Sequence, residues 1–393
     1  MAGQTYFGRN NYIEYIAGNM PVILSAPHGG NLTPAELPDR TSGTFGTDLN
    51  TEDLTRKIRQ GFIDRCGAFP HTIICHLDRI KIDCNREIVE GAGGNALTEI
   101  SWNDFQNFIT SSRQTVTSQF VHGLYLDMHG HGHPIQRLEL GYLLDSSLDL
   151  TDAQLNSGNY GQLTSIRNLD IISPSTFAQL LRGTNSLGGL LAARGYPSVP
   201  SPTIPTPGSD DYFNGGYNTL THGSKNSGTV SAIQIECNYT GVRDTSANRS
   251  AFATQLVDAT GVYFTNHFGF DLNDYDGDRL SNFLEYALGG DPNTSTSTPL
   301  PQAGKAGGRL ALTFNRVLAN TDITMTVQAN DSVTGTWTDL ARSVNGAAFT
   351  QLVGGVTITE SGSGAIRSIE VRDIFLLNDV AHPRRFMRLQ VTR

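Results

Sequence analysis

Gly123-Leu-Tyr-Leu-Asp127-Met-His129-Gly-His131-Gly-His133 is the stretch whose reading decides the fold. An apolar run that breaks into alternating glycine and histidine reads as a buried strand ending at a polar cluster. Three other runs have a related form: Pro21-Val-Ile-Leu-Ser25, Thr72-Ile-Ile-Cys75 and Ala232-Ile-Gln-Ile-Glu236. Helical patterns lie between them, over Thr51 to Phe62, Trp102 to Phe120 and Ser250 to Phe264. Strands of this kind alternating with helices predict an α/β catalytic domain over residues 1–268, with a mixed central sheet flanked by helices. In open α/β sheets, ligands gather at the carboxyl ends of the strands. The residues that end these four runs are therefore the ones to read for chemistry.

Outward from that domain the texture changes twice. Residues 269–300 are rich in Asp and Asn, then in Thr, Ser and Pro, and read as a junction and linker. Residues 301–393 carry short alternating runs at Arg309 to Phe314, Asp322 to Gln328, Thr336 to Leu340, Ile366 to Val371 and Phe386 to Val391. They predict a small all-β sandwich as an accessory domain. Within the first domain, Ile204 to Ser227 is rich in Pro, Gly, Asn and Tyr and reads as a long loop covering the active site. A chain of 393 residues exceeds one ordinary core, in keeping with more than one domain. The formal charge of −9 and the lack of a basic stripe argue against nucleic acid as a partner. No apolar run approaches the length of a membrane span. The four cysteines, Cys66, Cys75, Cys84 and Cys237, form no CxxC pair, which argues against a thiolate zinc site. They leave disulfides and buried thiols both open. The residues set no oligomeric state.

His28 lies in Ser25-Ala-Pro-His-Gly-Gly30, at the end of the first apolar run, where two glycines allow close backbone approach. Asp127, His129, His131 and His133 alternate, so an extended backbone points them to one face. Neutral imidazoles suit zinc, and a catalytic zinc takes three protein ligands with one position open. A carboxylate is the expected third ligand. Asp48 and Glu52 both flank the predicted helix start, with Asp48 preferred and a plain helix-capping role as its competitor. Glu236 ends the last apolar run, where a carboxylate beside a metal can serve as general base toward water. Leu77-Asp-Arg79-Ile-Lys-Ile-Asp83-Cys-Asn85-Arg86 supplies two guanidiniums suited to a carboxylate or an oxyanion. His131 is a weaker candidate, better read as a hydrogen-bonding neighbour.

The succession PHGG, TDLNTEDL, DRIKIDCNR, DMHGH, GGYNTLTHG and AIQIE, over about residues 20 to 245, resembles the N-formylglutamate amidohydrolase family. That family is similar in fold to the zinc carboxypeptidases. The resemblance implies His28, Asp48 and His129 as zinc ligands and Glu236 as general base and acid. It implies Arg79 as the group stabilising the oxyanion, and Asn85 and Arg86 as anchors of a substrate carboxylate. Three departures stand out. Gly130 follows the second metal histidine where the family usually has Ser, Cys237-Asn-Tyr-Thr-Gly241 departs from the usual pattern, and Asp145 to Leu190 has no counterpart. The expected substrate is a small molecule or peptide-like compound with a carboxylate beside an amide bond.

The junction holds a second motif. Asp274, Asp276 and Asp278 fall at positions 1, 3 and 5 of a calcium loop, Leu280 offers its carbonyl at 7, and Glu285 a bidentate carboxylate at 12. Arg279 stands where glycine normally makes the turn. The same run resembles junctions before C-terminal β-domains of secreted bacterial proteins. A structural Ca2+ would be filled outside the cell, so secretion is the expected location. The opening Met-Ala-Gly, which passes at once into polar residues, fits a chain with its signal peptide removed and equally a cytoplasmic one. The leading expectation is thus a secreted zinc-dependent amide hydrolase. An esterase on the same scaffold is one alternative, and a non-catalytic, calcium-dependent binding protein is the other.

Overall fold

The computed structural model describes residues 1–144, 146–268, 278, 280–291, 294 and 300–392. The chain divides into two compact units, Met1–Asp64 with Ala68–Phe268 and Arg65–Gly67 with Gly269–Arg393.

The first unit is built on an eight-stranded sheet. In chain order its strands are β1 (Thr5–Phe7), β2 (Ile13–Ile16), β3 (Val22–Ala26), β4 (His71–Cys75), β5 (Gly123–Gly130), β6 (Leu138–Gly141), β7 (Ser198–Val199) and β8 (Val230–Cys237). Their spatial order is β1-β2-β4-β3-β5-β8-β6-β7. The central four, β4-β3-β5-β8, run parallel, while β2 joins β4 and β6 joins β8 antiparallel. The mixed sheet is the one expected, and its four central strands are the four apolar runs.

Register explains why those runs are apolar throughout. Ile23, Tyr125 and Ala232 are aligned across β3, β5 and β8 and face one side. Leu24, Leu126 and Ile233, one residue on, face the other, and all six are fully buried. With both faces covered, apolar residues fill both sides of the strand centres, and the larger polar groups gather toward the strand ends. On the first side the helix Ala96–Phe120 lays Trp102, Phe105, Ile109 and Val116 against Ile23, Ile73, Tyr125 and Ala232. Those four positions recur every three, four or seven residues and form one stripe. Asn95 caps this helix through its side-chain oxygen, accepting from the amides of Leu97 and Thr98. Continuing along the same face, Asp127, His129, Gln234 and Glu236 carry the side-chain file to the strand ends. The unmatched segment after β6 folds as short helices, among them Asp152–Leu155, Arg167–Ile172, Phe177–Arg182 and Leu187–Ala192.

The second unit holds two four-stranded antiparallel sheets. One has the order β14-β15-β10-β9, from Thr357–Ser361, Ile366–Leu376, Arg309–Val317 and Gln302–Ala306. The other has β13-β12-β11-β16, from Thr350–Gln351, Thr338–Val344, Thr324–Asn330 and Phe386–Thr392. Leu312, Phe314 and Ile369 of one sheet share a core with Met325, Val327 and Leu340 of the other. The helix Asn282–Leu288 adds Phe283, Ala287 and Leu288 to that core. Of the calcium motif, Asp274 and Asp276 lie outside the described residues. The amide of Leu280 donates to Asp278 Oδ1 at 2.8 Å, and Glu285 is buried within the helix Asn282–Leu288.

No disulfide joins Cys66, Cys75, Cys84 or Cys237, so the disulfide alternative falls. Among the described residues no helix is long and apolar enough to cross a membrane.

Candidate metal centre and active site

The loop after β3 carries His28. A Cβ on Gly30 would stand 2.1 Å from the carbonyl carbon of His76, so only glycine lets this loop rest on the backbone following β4. Leu32 then bonds the carbonyl of His76 at 2.9 Å. The chain returns through Asp48, whose amide donates to the His28 carbonyl at 3.0 Å just before the helix Thr51–Cys66. His129 arrives from the end of β5, and Glu236 stands opposite it at the end of β8.

These elements bring His28, Asp48 and His129 together, all buried. Asp48 Oδ2 lies 3.4 Å from His28 Nδ1 and 3.3 Å from His129 Nδ1. Each imidazole is fixed from behind by a carboxylate. His28 Nε2 meets Asp83 Oδ1 at 2.7 Å, and His129 Nε2 meets Asp127 Oδ2 at 3.0 Å. A proton held on Nε2 by these carboxylates leaves the Nδ1 lone pairs turned toward the centre. His28 Nδ1 is buried and has no hydrogen-bond partner. Donors bound at roughly 2.0–2.2 Å around a tetrahedral ion stand about 3.3–3.6 Å apart, which matches the distances from Asp48 Oδ2 to the two histidines. The three residues therefore fit a divalent metal. A carboxylate behind each ligating histidine is the usual means of fixing tautomer and ring orientation.

The supports run deeper along the same face. Ser25 Oγ donates to Asp127 Oδ1 and meets Tyr125 Oη at 2.7 Å, and Asn218 Nδ2 donates to Asp127 Oδ2 at 3.1 Å. Burial alone would raise Asp127 and Asp83, yet both stay below the usual carboxylate range. His129 is the main cause for Asp127 and His28 for Asp83, with Arg79 adding to the second. Burial likewise opposes a charge on His129, but Asp127 and Asp48 hold it well above an ordinary imidazole. A cation is wanted at this point, and a proton or a metal can supply it.

Glu236 Oε1 lies 4.0 Å from His129 Nδ1. Burial pushes its carboxyl up to about 7, with the charge on His129 pulling the other way. Gln234 Nε2 donates to Glu236 Oε1 at 2.9 Å and fixes its orientation. One pocket of ≈ 110 Å³ is lined by His28, Asp48, His129 and Glu236 together with Arg79, Asn85 and Arg86. The seven residues singled out from the sequence of the first unit thus converge.

Their local engagements differ from one another. Asp48 directs its carboxylate to the histidines and accepts from the amide of Gly130 at 3.0 Å. It does not cap the helix by its side chain. Glu52 turns away, facing His76 Nδ1 at 3.3 Å and Arg56 Nη2 at 3.2 Å, and so drops out as a ligand. Arg79 grips Asp83 Oδ2 through Nε and Nη2, at 3.0 and 2.9 Å, and stands 3.6 Å from Asp48 Oδ1. Its guanidinium thus braces Asp48 and the carboxylate behind His28 while lining the pocket. Asn85 is buried, donating to Gln234 Oε1 at 3.3 Å and accepting from the amide of Asn218 at 2.8 Å. Arg86 is half-buried, its side chain 39% accessible beside Glu90, and its Nη1 donates to the Asn85 carbonyl at 3.0 Å.

The departure at Gly130 also has a physical cause. A Cβ there would stand 2.3 Å from Cζ of Arg243, a buried guanidinium bonded to the carbonyls of Leu49, Cys237 and His131. Any side chain at this position would have to displace that guanidinium. Residues that the sequence reading passed over include Asp83 as a support, Gln234, Asn218 and Phe213. Only Asp127 carried a signal, through its place two residues before His129.

No family model matches the chain, and no curated protein matches it. Among solved structures, it is similar to an N-formylglutamate amidohydrolase from Ralstonia eutropha JMP134. The TM-score is 0.38 at 12% identity, over 65% of this chain and 96% of that one.

Proposed function

We propose that this chain is a zinc-dependent hydrolase that cleaves an amide bond next to a carboxylate. The observation that supports it best is the pair of buried imidazoles. Asp83 and Asp127 hold their Nε2 atoms, and their Nδ1 atoms converge on Asp48 with Glu236 alongside. Zinc held by His28, Asp48 and His129 would supply Lewis acidity, making a water acidic enough to attack near neutral pH.

Glu236 accepts the proton of the attacking water. A carboxyl titrating near neutrality can take a proton and give it back. It then returns that proton to the leaving nitrogen, so the amine departs neutral and the carbonyl becomes a carboxylic acid group. Arg79, fixed by Asp83, lines the pocket from one side and offers positive charge to the oxygen that turns anionic in the tetrahedral state. Arg86, half-buried and lining the same pocket, is the group to pair with the substrate's own carboxylate and orient the scissile bond. Secretion and a structural calcium ion over Asp274 to Glu285 belong to the same proposal, on the spacing of that motif alone.

The test joins metal analysis of the purified protein to a turnover screen with N-acyl amino acids, C-terminal peptides and the matching esters. One equivalent of zinc and amide cleavage are expected, and cleavage of esters alone would move the reading to an esterase. Glu236→Gln should keep its zinc and lose roughly 10²–10⁴-fold in turnover. Full activity in that variant would take the general base away from Glu236.

A further inference from the structure

Phe213 lines the same pocket as His129 and Glu236, yet its side chain is 45% exposed. A ring that open gains little from its own burial, so its position must be set by its neighbours. Its amide donates to Glu139 Oε2 at 2.8 Å. The ring of His133 stacks on it, with centroids 4.6 Å apart and planes 19° from parallel. His133 Nδ1 in turn meets the other oxygen of Glu139 at 2.8 Å. Glu139 is fully buried and stands opposite Glu236 in the register of β6 and β8. On either side, Tyr212 Oη donates to the Leu140 carbonyl and the amide of Leu143 to the Asn214 carbonyl. An exposed aromatic ring is thus pinned to β6 beside the general base.

Strand order gives that position a meaning. Arg79 and Arg86 follow β4, His28 and His129 end β3 and β5, Glu236 ends β8, and Phe213 is held on β6. Across the sheet, the order β4-β3-β5-β8-β6 therefore runs from cations, through the metal ligands and the base, to an aromatic face. A substrate lying across the strand ends with its carboxylate at the arginines sets the far side of its amide against Phe213. We propose, on the amide-hydrolase reading above, that Phe213 is a specificity-determining residue. Its ring is a flat apolar face for the acyl group of an N-acyl amino acid, with His133 and Glu139 as the residues that position it. An aryl acyl group has the surface to use that face, whereas a formyl group has none.

The test is calorimetric titration of N-benzoylglycine and N-acetylglycine into zinc-loaded Glu236→Gln protein, which reads affinity without turnover. The benzoyl compound is expected to bind about tenfold more tightly. Adding Phe213→Ala should bring the two affinities together, and Phe213→Tyr should keep the preference. His133→Ala should weaken the preference, and His133→Phe, which restores a stacked ring, should recover it. Equal binding of the two compounds, or a preference that survives Phe213→Ala, overturns the assignment. Turnover of both compounds by the unaltered enzyme is measured separately. Its absence would count against the amide-hydrolase reading while leaving the affinity ratio to judge Phe213.

Discussion

Two histidine clusters lie within a few residues of each other in the first unit, and each contains two imidazoles and a carboxylate. In the first, His28 and His129 present Nδ1 to Asp48 at 3.4 and 3.3 Å, and the other nitrogens are already bonded to Asp83 and Asp127. In the second, His133 Nδ1 meets Glu139 at 2.8 Å. There His131 spends both nitrogens on backbone, accepting from the His133 amide at 3.2 Å and donating to the Arg137 carbonyl at 2.8 Å. The donor types are alike and the arrangement is opposite. One cluster turns both Nδ1 atoms on a single carboxylate oxygen and leaves the buried Nδ1 of His28 without a hydrogen-bond partner. The other closes every contact with a proton. Both bring their ligand atoms within 4.8 Å of one another, and the hydrogen bonds those atoms already make separate them.

The largest effect that could break this comparison comes from removing a histidine. His129→Ala should abolish stoichiometric zinc and activity together, while His133→Ala should retain one equivalent, both read by elemental analysis after dialysis. Two equivalents in the unaltered protein, falling to one in His133→Ala, would make the second cluster a metal site after all. A smaller effect is expected behind the ligands. Asp127→Asn and Asp83→Asn should weaken zinc by about 10–100-fold in chelator competition, whereas Glu139→Gln should leave its affinity alone. Equal losses in all three would mean that both clusters feed the metal.

The smallest effect sharpens the contrast with a third network. His76 Nε2 meets Glu14 at 3.0 Å and its Nδ1 faces Glu52 at 3.3 Å, so it binds a proton. Hydrogen bonds donated to Glu14 and then to Glu52 raise it from 6.5 to about 9. Because the folded value lies above the unfolded one, this stabilisation is complete below pH 6.5 and is lost as the pH rises through about 9. His76→Gln should therefore lower Tm by about 2–4 °C at pH 6. The gap to the unaltered protein should close by pH 10. A gap that widens with pH would reverse the assignment.

How far the sequence reaches follows from the same contrast. The four central strands were legible because burial on both faces leaves them apolar throughout. His28, His129 and Glu236 were legible because they end those strands. The choice between Asp48 and Glu52 was not, since both flank one helix start and only the direction of the side chain separates them. Asp83 was invisible as a support because its partner His28 lies 55 positions away. Phe213 sits in a loop whose composition announces a cover but not which side chain faces the pocket. In the second unit, β9, β13 and β14 escaped notice because their residues are mostly exposed and show little apolar alternation.

Arg243 has a consequence for how the site comes apart. Its guanidinium ties the carbonyls of Leu49, His131 and Cys237, each within two residues of Asp48, His129 or Glu236, on three separate segments of chain. A knot of this kind correlates the motions of segments that would otherwise fluctuate alone. The proposed ligands and base should then lose their places in a single step, and thermal release of the proposed zinc should be abrupt rather than gradual.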